Sequence, residues 1–331
     1  MERRSGRAKA RSQFGRERLR DGRVLFVGDA THLVPIFGVG GLNGGLVDAN
    51  NVSWRLAQVL SKGAADSTLD TYAVEQRYAW SENVRQAEQS TLFMTPGTPG
   101  RMLARDAALE LALEDATFAT LLNPRQSSAI DYLSSPMNVP DDEVWIGGVA
   151  PGALVPDVVV GRVRSDGGTD RVHLSEVVTA FAVVCGGGAR LPIPAEAQLI
   201  ILGERANRAE GDISDIDGAL AAALSVGPGT AYILRPDRHV VARRHAWTAT
   251  ELDSVIEAAR DGVSCARPAG SVAPAAEPSR TETVWMGVGD ALESTPVERH
   301  AKLMTKFSLL LAERLDDPER VLKLLSIASA D

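Results

Sequence analysis

Only two cysteines, Cys185 and Cys265, occur in the 331 residues, and neither sits in a Cys-x-x-Cys pair or at a metal-ligand spacing. That argues against a disulfide framework, a zinc site and a dithiol redox couple, and makes a reducing cytoplasm the expected compartment. No apolar run reaches the roughly 18 residues that a membrane helix needs. Basic charge is in deficit overall: 35 Lys and Arg against 43 Asp and Glu leave a net charge of −8, unlike a chain that binds nucleic acid as a whole. No Ser-His-Asp or metal-ligating constellation is evident, and no Gly-x-Gly-x-x-Gly turn occurs. What is present is a chain 44% hydrophobic, long enough to bury more than one core and to form two domains.

The most informative stretch runs from Gly22 to Asn51. Val24 to Val27 form a short apolar run with β-branched residues, which predicts a strand covered on both faces, as in a parallel sheet, ending in the carboxylate of Asp29. Between Gly38 and Gly45 five of eight residues are glycine, so the backbone can come close to a flat or anionic ligand. Apolar residues at Leu42, Leu46, Ala49, Val52, Leu56, Val59 and Leu60 predict a helix with that stripe buried, stopped at Gly63. The turn delivers the chain into a helix N-terminus, whose free N–H groups suit an electron-rich oxygen. A glycine-rich turn alone also reads as a flexible loop without a ligand. His32, just after the strand, reads as a packing or supporting residue and not as a catalytic acid or base.

Taken together, these residues resemble the second flavin-binding motif of the class A FAD-dependent aromatic hydroxylases, with phenol and 3-(3-hydroxyphenyl)propionate hydroxylases the nearest in kind. Gly28 and Asp29 match the Gly-Asp pair, and Pro35, Gly38, Gly41, Leu42 and Asn43 match the Pro-x-x-Gly-x-x-Gly-x-Asn turn. Asp48-Ala49-Asn50-Asn51 and Trp54-Arg55-Leu56-Ala57 match the helix that follows. The resemblance implies that Asp29 accepts hydrogen bonds from ribityl hydroxyls and that the backbone N–H groups of Leu42 and Asn43 donate to the pyrimidine edge of the flavin. Val39, Gly40 and Gly44 depart from the family's usual residues. It implies FAD as cofactor, NADH or NADPH as co-substrate, O₂ as the oxygen source, and a small phenolic substrate, with no nucleic-acid or membrane partner.

The family's ADP-binding Gly-x-Gly-x-x-Gly segment is missing, so the resemblance predicts the C-terminal part of a class A FAD-binding domain, in a truncated chain. The alternative is a non-catalytic assembly or scaffold fragment; a thiol oxidoreductase is disfavoured by the cysteine count. Residues 1–20 are arginine-rich. They admit a nucleic-acid arm or a transit peptide, but interleaved acids and glycines favour a solvated, disordered leader.

The predicted α/β organisation continues as follows. Residues 21–139 form the FAD-binding part, where Leu69 to Arg77 resembles the family's Tyr-x-x-Glu-Arg-Arg helix, with Glu75 and Arg77 expected in solvent. A break at Thr95-Pro96-Gly97 precedes a second helix over Arg101 to Leu122, and no chemistry is evident as far as Ser135-Pro136-Met137-Asn138. Residues 140–265 carry strands at 158–160, 181–184, 199–202 and 231–234, a turn at Arg235-Pro236-Asp237-Arg238 into Val240 to Ala242, and a capping box at Thr248 opening a helix to Arg260. This block resembles the thioredoxin-like domain of phenol-hydroxylase-type members, with Cys185 as a small core residue. A linker over 266–282 leads to a helical module at 283–331, in which Leu303, Met304, Phe307, Leu310 and Leu311 form one stripe and Val321, Leu322, Leu324 and Leu325 another, both expected inside. The thioredoxin-like and helical segments are read as docking or homodimer-forming elements.

Overall fold

The structure, a computed structural model, describes residues 18–33, 40–114, 118–119, 129–141, 143–186, 193–194, 197–202, 212–227, 229–263, 280–315 and 317–328. These fall into two compact units. The first contains the described residues up to 82 together with those from 129 to 263; the second contains those from 83 to 119 and from 280 onward.

The first unit opens with a short antiparallel pair, β1 (Arg20–Asp21) and β2 (Val24–Leu25), joined through Gly22 at φ +56°. This corrects the expected buried parallel strand at 24–27. Val24 and Val27 are exposed, because among the described residues the only strand beside β2 is β1. Leu19 is buried, and Arg20, at the end of the basic segment, pairs with Asp66 and, at 2.8 Å, with Asp70. A 3-10 turn at Gly28–Ala30 leads to helix α1 (Gly40–Lys62), which ends where Gly63 takes φ +70°, a conformation costly for any residue with a Cβ.

Helix α1 does not bury the predicted aliphatic stripe. Leu42, Leu46, Ala49 and Leu60 are exposed, and of that stripe only Val52 is fully buried. The buried side instead carries Asp48, Asn51, Trp54, Arg55 and Gln58. Asn51 and Arg55 find partners on helix α2 (Thr68–Met94) and Trp54 on Asp237, and these hydrogen bonds offset the cost of their burial. Helix α2 stops before Thr95-Pro96-Gly97, as expected.

The rest of the first unit is α/β. A three-stranded antiparallel sheet places β3 (Val159–Val163) between β4 (Thr169–His173) and β7 (Ile213–Ser214), with one helical turn, α4 (Leu174–Val177), after β4. A second sheet has the order β6-β5-β8-β9, made of β5 (Ala182–Gly186), β6 (Gln198–Leu202), β8 (Ala231–Leu234) and β9 (Val240–Arg244). β5 and β6 run parallel, and the other pairs are antiparallel. Alternation along its strands makes two cores. Val184, Ile200, Tyr232 and Leu234 face one way, toward Leu220 and Leu224 of helix α5 (Ala219–Leu224) and toward Val160 and Ile213. Val183, Cys185, Ile233 and Val241 face the other way, toward Leu252, Ile256 and Ala259 of helix α6 (Ala249–Arg260) and toward Trp54 of α1. The Thr248 capping box forms as predicted, with the Glu251 N–H donating to Thr248 Oγ1 at 3.3 Å and the Thr248 N–H to Glu251 Oε2 at 3.0 Å.

In the second unit, the C-terminal part of α2 and helix α3 (Pro99–Glu114) meet helix α7 (Arg280–Glu293). A Cβ on Gly100 would lie 2.7 Å from Leu292 backbone, so only glycine allows this approach. Arg101 pairs with Asp290 and Glu293, and the Trp285 indole donates to the Ala104 carbonyl. Helix α8 (His300–Leu315) gives way to α9 (Pro318–Ala328), whose first turn is capped by Asp317. The stripes expected inside this hairpin are not buried. Leu303, Met304, Phe307 and Val321 are half-buried, and Leu310, Leu311, Leu322 and Leu324 are exposed. The side chain of Leu325 lies outside the described residues.

Candidate functional site

The 3-10 turn at Gly28–Ala30 lies against the first turns of α1. Gly28 takes φ +58°, and a Cβ placed there would be 3.8 Å from the Gly45 Cα, so the conformation and not crowding calls for glycine. The Gly28 N–H donates to Asp48 Oδ2 at 2.7 Å, and His32 Nε2 lies 2.9 Å from the same oxygen. Thr31 closes the turn by donating its hydroxyl to the Gly28 carbonyl at 2.7 Å. One residue along, Asp29 is exposed and its carboxylate accepts no hydrogen bond from any described residue. Helix α1 is described from Gly40 onward. Gly41, Leu42 and Asn43 are all exposed there.

The structure thus brings Gly28, Asp29, Gly41, Leu42 and Asn43 to one end of α1, while Pro35 and Gly38 lie outside the described residues. A free acceptor on a fixed turn thus sits beside this end of α1, and a free carboxylate fits a ligand carrying hydroxyl donors, as the ribityl chain of a flavin does.

The other end of α1 is different in kind. Arg55 and Glu75 are both fully buried and pair at 2.7 Å. Arg235, at the turn after β8, is fully buried too and donates to the other Glu75 oxygen. It also forks onto Asp237, with Nε 2.9 Å from Oδ1 and Nη2 2.6 Å from Oδ2. Two guanidinium groups thereby meet two carboxylates. Asn51, Thr71, Ser135 and the Trp54 indole fill the remaining hydrogen-bonding positions. The Arg55 guanidinium lies 4.3 Å from the Trp54 ring centre. Burial alone would raise the Glu75 carboxyl, but Arg235 and Arg55 outweigh it and hold it at about 2. Asp237 is likewise held below its ordinary range, chiefly by Arg235, despite its burial.

This corrects the sequence reading of Glu75, which lies inside while Arg77 is exposed as expected. The segment ending at Ser135 and Met137, read as featureless, supplies part of the cluster's wall. Asn51 and Arg55, one turn apart on a helix with too many outward leucines, were the available signal. His32 has the supporting role expected of it, and Asp48, matched only as part of a motif, is the acceptor that holds the turn. Cys185 is buried and its thiol is pushed up by burial, as suits a core residue. Cys265 lies outside the described residues. Among the described residues no group of three or more His, Cys, Asp or Glu could hold a metal ion, and no helix is long and apolar enough to cross a membrane.

Comparison with known proteins bears on the same region. The FAD binding domain family matches residues 4–87. Tetracenomycin A2 monooxygenase-dioxygenase of Streptomyces glaucescens is 31% identical over 239 residues, covering 70% of this chain and 39% of that protein. The 4-methyl-5-nitrocatechol 5-monooxygenase of a Burkholderia species is 29% identical over 73% of this chain and 43% of its own length. A 3-(3-hydroxy-phenyl)propionate/3-hydroxycinnamic acid hydroxylase of Mycobacterium avium is 50% identical over 58 residues, 18% of this chain and 10% of that one. The chain therefore spans about two fifths of the length of the first two relatives. Among solved structures, the flavin-dependent monooxygenase PieE in complex with FAD and substrate superposes with a TM-score of 0.55 at 21% identity, over 76% of this chain and 49% of that one. Aklavinone-11 hydroxylase with FAD and aklavinone gives 0.53 at 21% identity, over 74% and 45%. These two likenesses show a shared fold. Residues 4–87 thus match the FAD binding domain family, and relatives that share sequence with this chain are named as aromatic monooxygenases and hydroxylases.

Proposed function

We propose that this chain forms the flavin-ring side of an FAD-dependent monooxygenase that hydroxylates a small phenolic compound with NADH or NADPH and O₂. The observation that carries this reading is the exposed, unpartnered Asp29 carboxylate on a turn fixed by Asp48, beside the exposed Gly41, Leu42 and Asn43 of α1. Asp29 would accept hydrogen bonds from ribityl hydroxyls, Leu42 and Asn43 would hold the pyrimidine edge through backbone N–H groups, and Gly28 and Gly41 would leave room for close approach. Pro35 and Gly38 would belong to the same turn. FAD, when bound, supplies hydride acceptance and O₂ activation. The protein's part is to bind and orient it, which is why no acid–base or metal constellation is called for.

Within this reading, the 140–265 block is a thioredoxin-like domain. Its β6-β5-β8-β9 sheet with one parallel pair, closed by α6, supports that assignment, and the buried, solitary Cys185 supports a structural over a redox role. The exposed leucines of α8 and α9 support a docking or homodimer role for the helical module. Cytoplasmic placement goes with the same reading.

The test is to titrate riboflavin, FMN and FAD into the purified chain while following flavin fluorescence. Binding is expected to be weak and similar for all three, because Asp29 would meet the ribityl chain that they share. Asp29→Ala should weaken it by the equivalent of one charge-assisted hydrogen bond, about 1.5–3 kcal/mol or roughly tenfold to a hundredfold. Equal binding by both forms, or none by the unmodified chain, would count against a flavin site here and favour a scaffold role.

A further inference from the structure

Asp48 is fully buried on α1, and it gathers the turn that carries Asp29. The Gly28 N–H donates to its Oδ2 at 2.7 Å, His32 Nε2 is 2.9 Å away, and the Thr31 hydroxyl is 3.5 Å away. A carboxylate can only accept, so His32 carries its proton on Nε2. The second carboxylate oxygen and His32 Nδ1 are both buried and have no partner. A buried carboxylate with one idle oxygen is a poor way to stabilise a helix, since an apolar side chain would avoid the desolvation altogether. Its distinctive property is a charge-assisted bond to one backbone N–H, that of the glycine whose φ of +58° sets the direction of the next residue.

We propose that Asp48 is a positioning residue for flavin binding: it does not touch the cofactor, but by clamping Gly28 it fixes the Asp29 carboxylate beside the first turn of α1. His32 holds the same carboxylate oxygen, with its Cε1 3.5 Å from where a Cβ on Gly44 would lie. This rests on the flavin reading of Asp29.

The experiment uses the full chain with FAD as the probe, in four variants: Asp29→Ala, Asp48→Ala, their double variant, and Asp48→Asn. Flavin affinity is read by fluorescence, and the hold on the turn by hydrogen exchange of the Gly28 amide. Asp48→Ala should lower FAD affinity about tenfold, the loss expected when a hydrogen bond to a charged group is no longer oriented. It should also speed Gly28 exchange, whereas Asp29→Ala leaves that exchange unchanged. Because Asp48 acts only through Asp29, the double variant should bind FAD as the Asp29→Ala protein does, within about twofold. Asp48→Asn keeps the volume and a neutral acceptor, so it should fold and lose about threefold in affinity, a neutral bond being roughly half as strong. It carries the decision if Asp48→Ala does not fold. Unchanged FAD affinity in a folded Asp48 variant, or losses that add in the double variant, overturns the proposal while Asp29→Ala still confirms the flavin site. If Asp29→Ala has no effect on FAD, the flavin reading itself has failed, and the positioning role falls with it.

Discussion

The two ends of α1 handle burial in opposite ways. From Asn51 to Arg55 the helix sends polar side chains inward, and Asn51, Trp54 and Arg55 are each met: Arg55 and its partner Glu75, both at 0% exposure, are saturated with partners. From Gly40 to Asn50 it leaves Leu42 at 75% and Leu46 at 60% exposure, and its one fully buried side chain among the described residues, Asp48, keeps an idle oxygen. The first end is finished; the second carries bare aliphatic surface beside the free Asp29 carboxylate. A saturated network fixes where the helix sits on the sheet domain, and in the flavin reading that rigidity would let the other end hold the cofactor at a set distance.

The sharpest way to break this contrast is at Glu75. Glu75→Ala leaves Arg55 and Arg235 facing each other in a dry interior, and loss of one partner from a buried charge pair costs about 3–5 kcal/mol. Arg77→Ala, two residues on but exposed, should stay within about 0.5 kcal/mol. Urea unfolding of both variants checks the pair. A Glu75→Ala cost no larger than that of Arg77→Ala would mean that the cluster does not anchor the helix.

Acid should act on the same end. The Glu75 carboxyl is held at about 2 in the folded chain against an ordinary value of 4.5, so the unfolded chain binds its proton more readily. Its contribution is complete above pH 4.5 and is lost as the pH falls toward 2, with Asp237 adding in the same direction. A shift of this size corresponds to stability of order 3 kcal/mol. The urea midpoint of the unmodified chain should therefore fall steeply below pH 4.5, and that of Glu75→Gln less steeply from a lower start. Parallel pH profiles would show that Glu75 is not the group being titrated.

Most strands and helix ends were legible because they depend on local chemistry. The strand at Ala231–Leu234, the Thr248 capping box, the stop at Gly63 and the break at Pro96 each need only a few neighbouring residues. The Gly28-Asp29 turn was legible as a motif for the same reason. What was not legible is which face of α1 turns inward. Hydrophobic spacing selected Leu42, Leu46 and Leu60, but the helix is oriented by ion pairs between Arg55, Glu75 and Arg235, positions 20 and 160 residues apart. No local pattern encodes such a pairing. The expected burial of Val24 failed likewise, because it depended on strands beside it and not on its own residues.

At the end proposed to hold the flavin a smaller effect is expected from Gly28→Ala. A Cβ there would meet nothing closer than the Gly45 Cα at 3.8 Å, so the cost is that of a left-handed backbone alone, about 1–2 kcal/mol. The same change should weaken FAD binding, since the chain can relieve the strain only by turning Asp29 away. Stability lost with FAD affinity unchanged would detach Asp29 from the site.

The smallest effect belongs to the aliphatic surface, and it tests the contrast most directly. Leu42→Ser and Leu46→Ser remove side chains that are already mostly in water, so each should change the unfolding free energy by no more than about 0.5 kcal/mol. Val52→Ala, on the buried side of the same helix, removes two methyl groups from the small core shared with Tyr72 and Leu19 and should cost more, about 1–2 kcal/mol. Urea unfolding at two protein concentrations separates the cases. A loss of about 2 kcal/mol or more at Leu42 or Leu46, the size seen when a packed leucine is truncated, would mean that this face is covered in solution. If that loss shrinks on dilution, the cover is a second copy of the chain. The end proposed to hold the flavin would then be a finished surface like the other, covered by a neighbour and not by water.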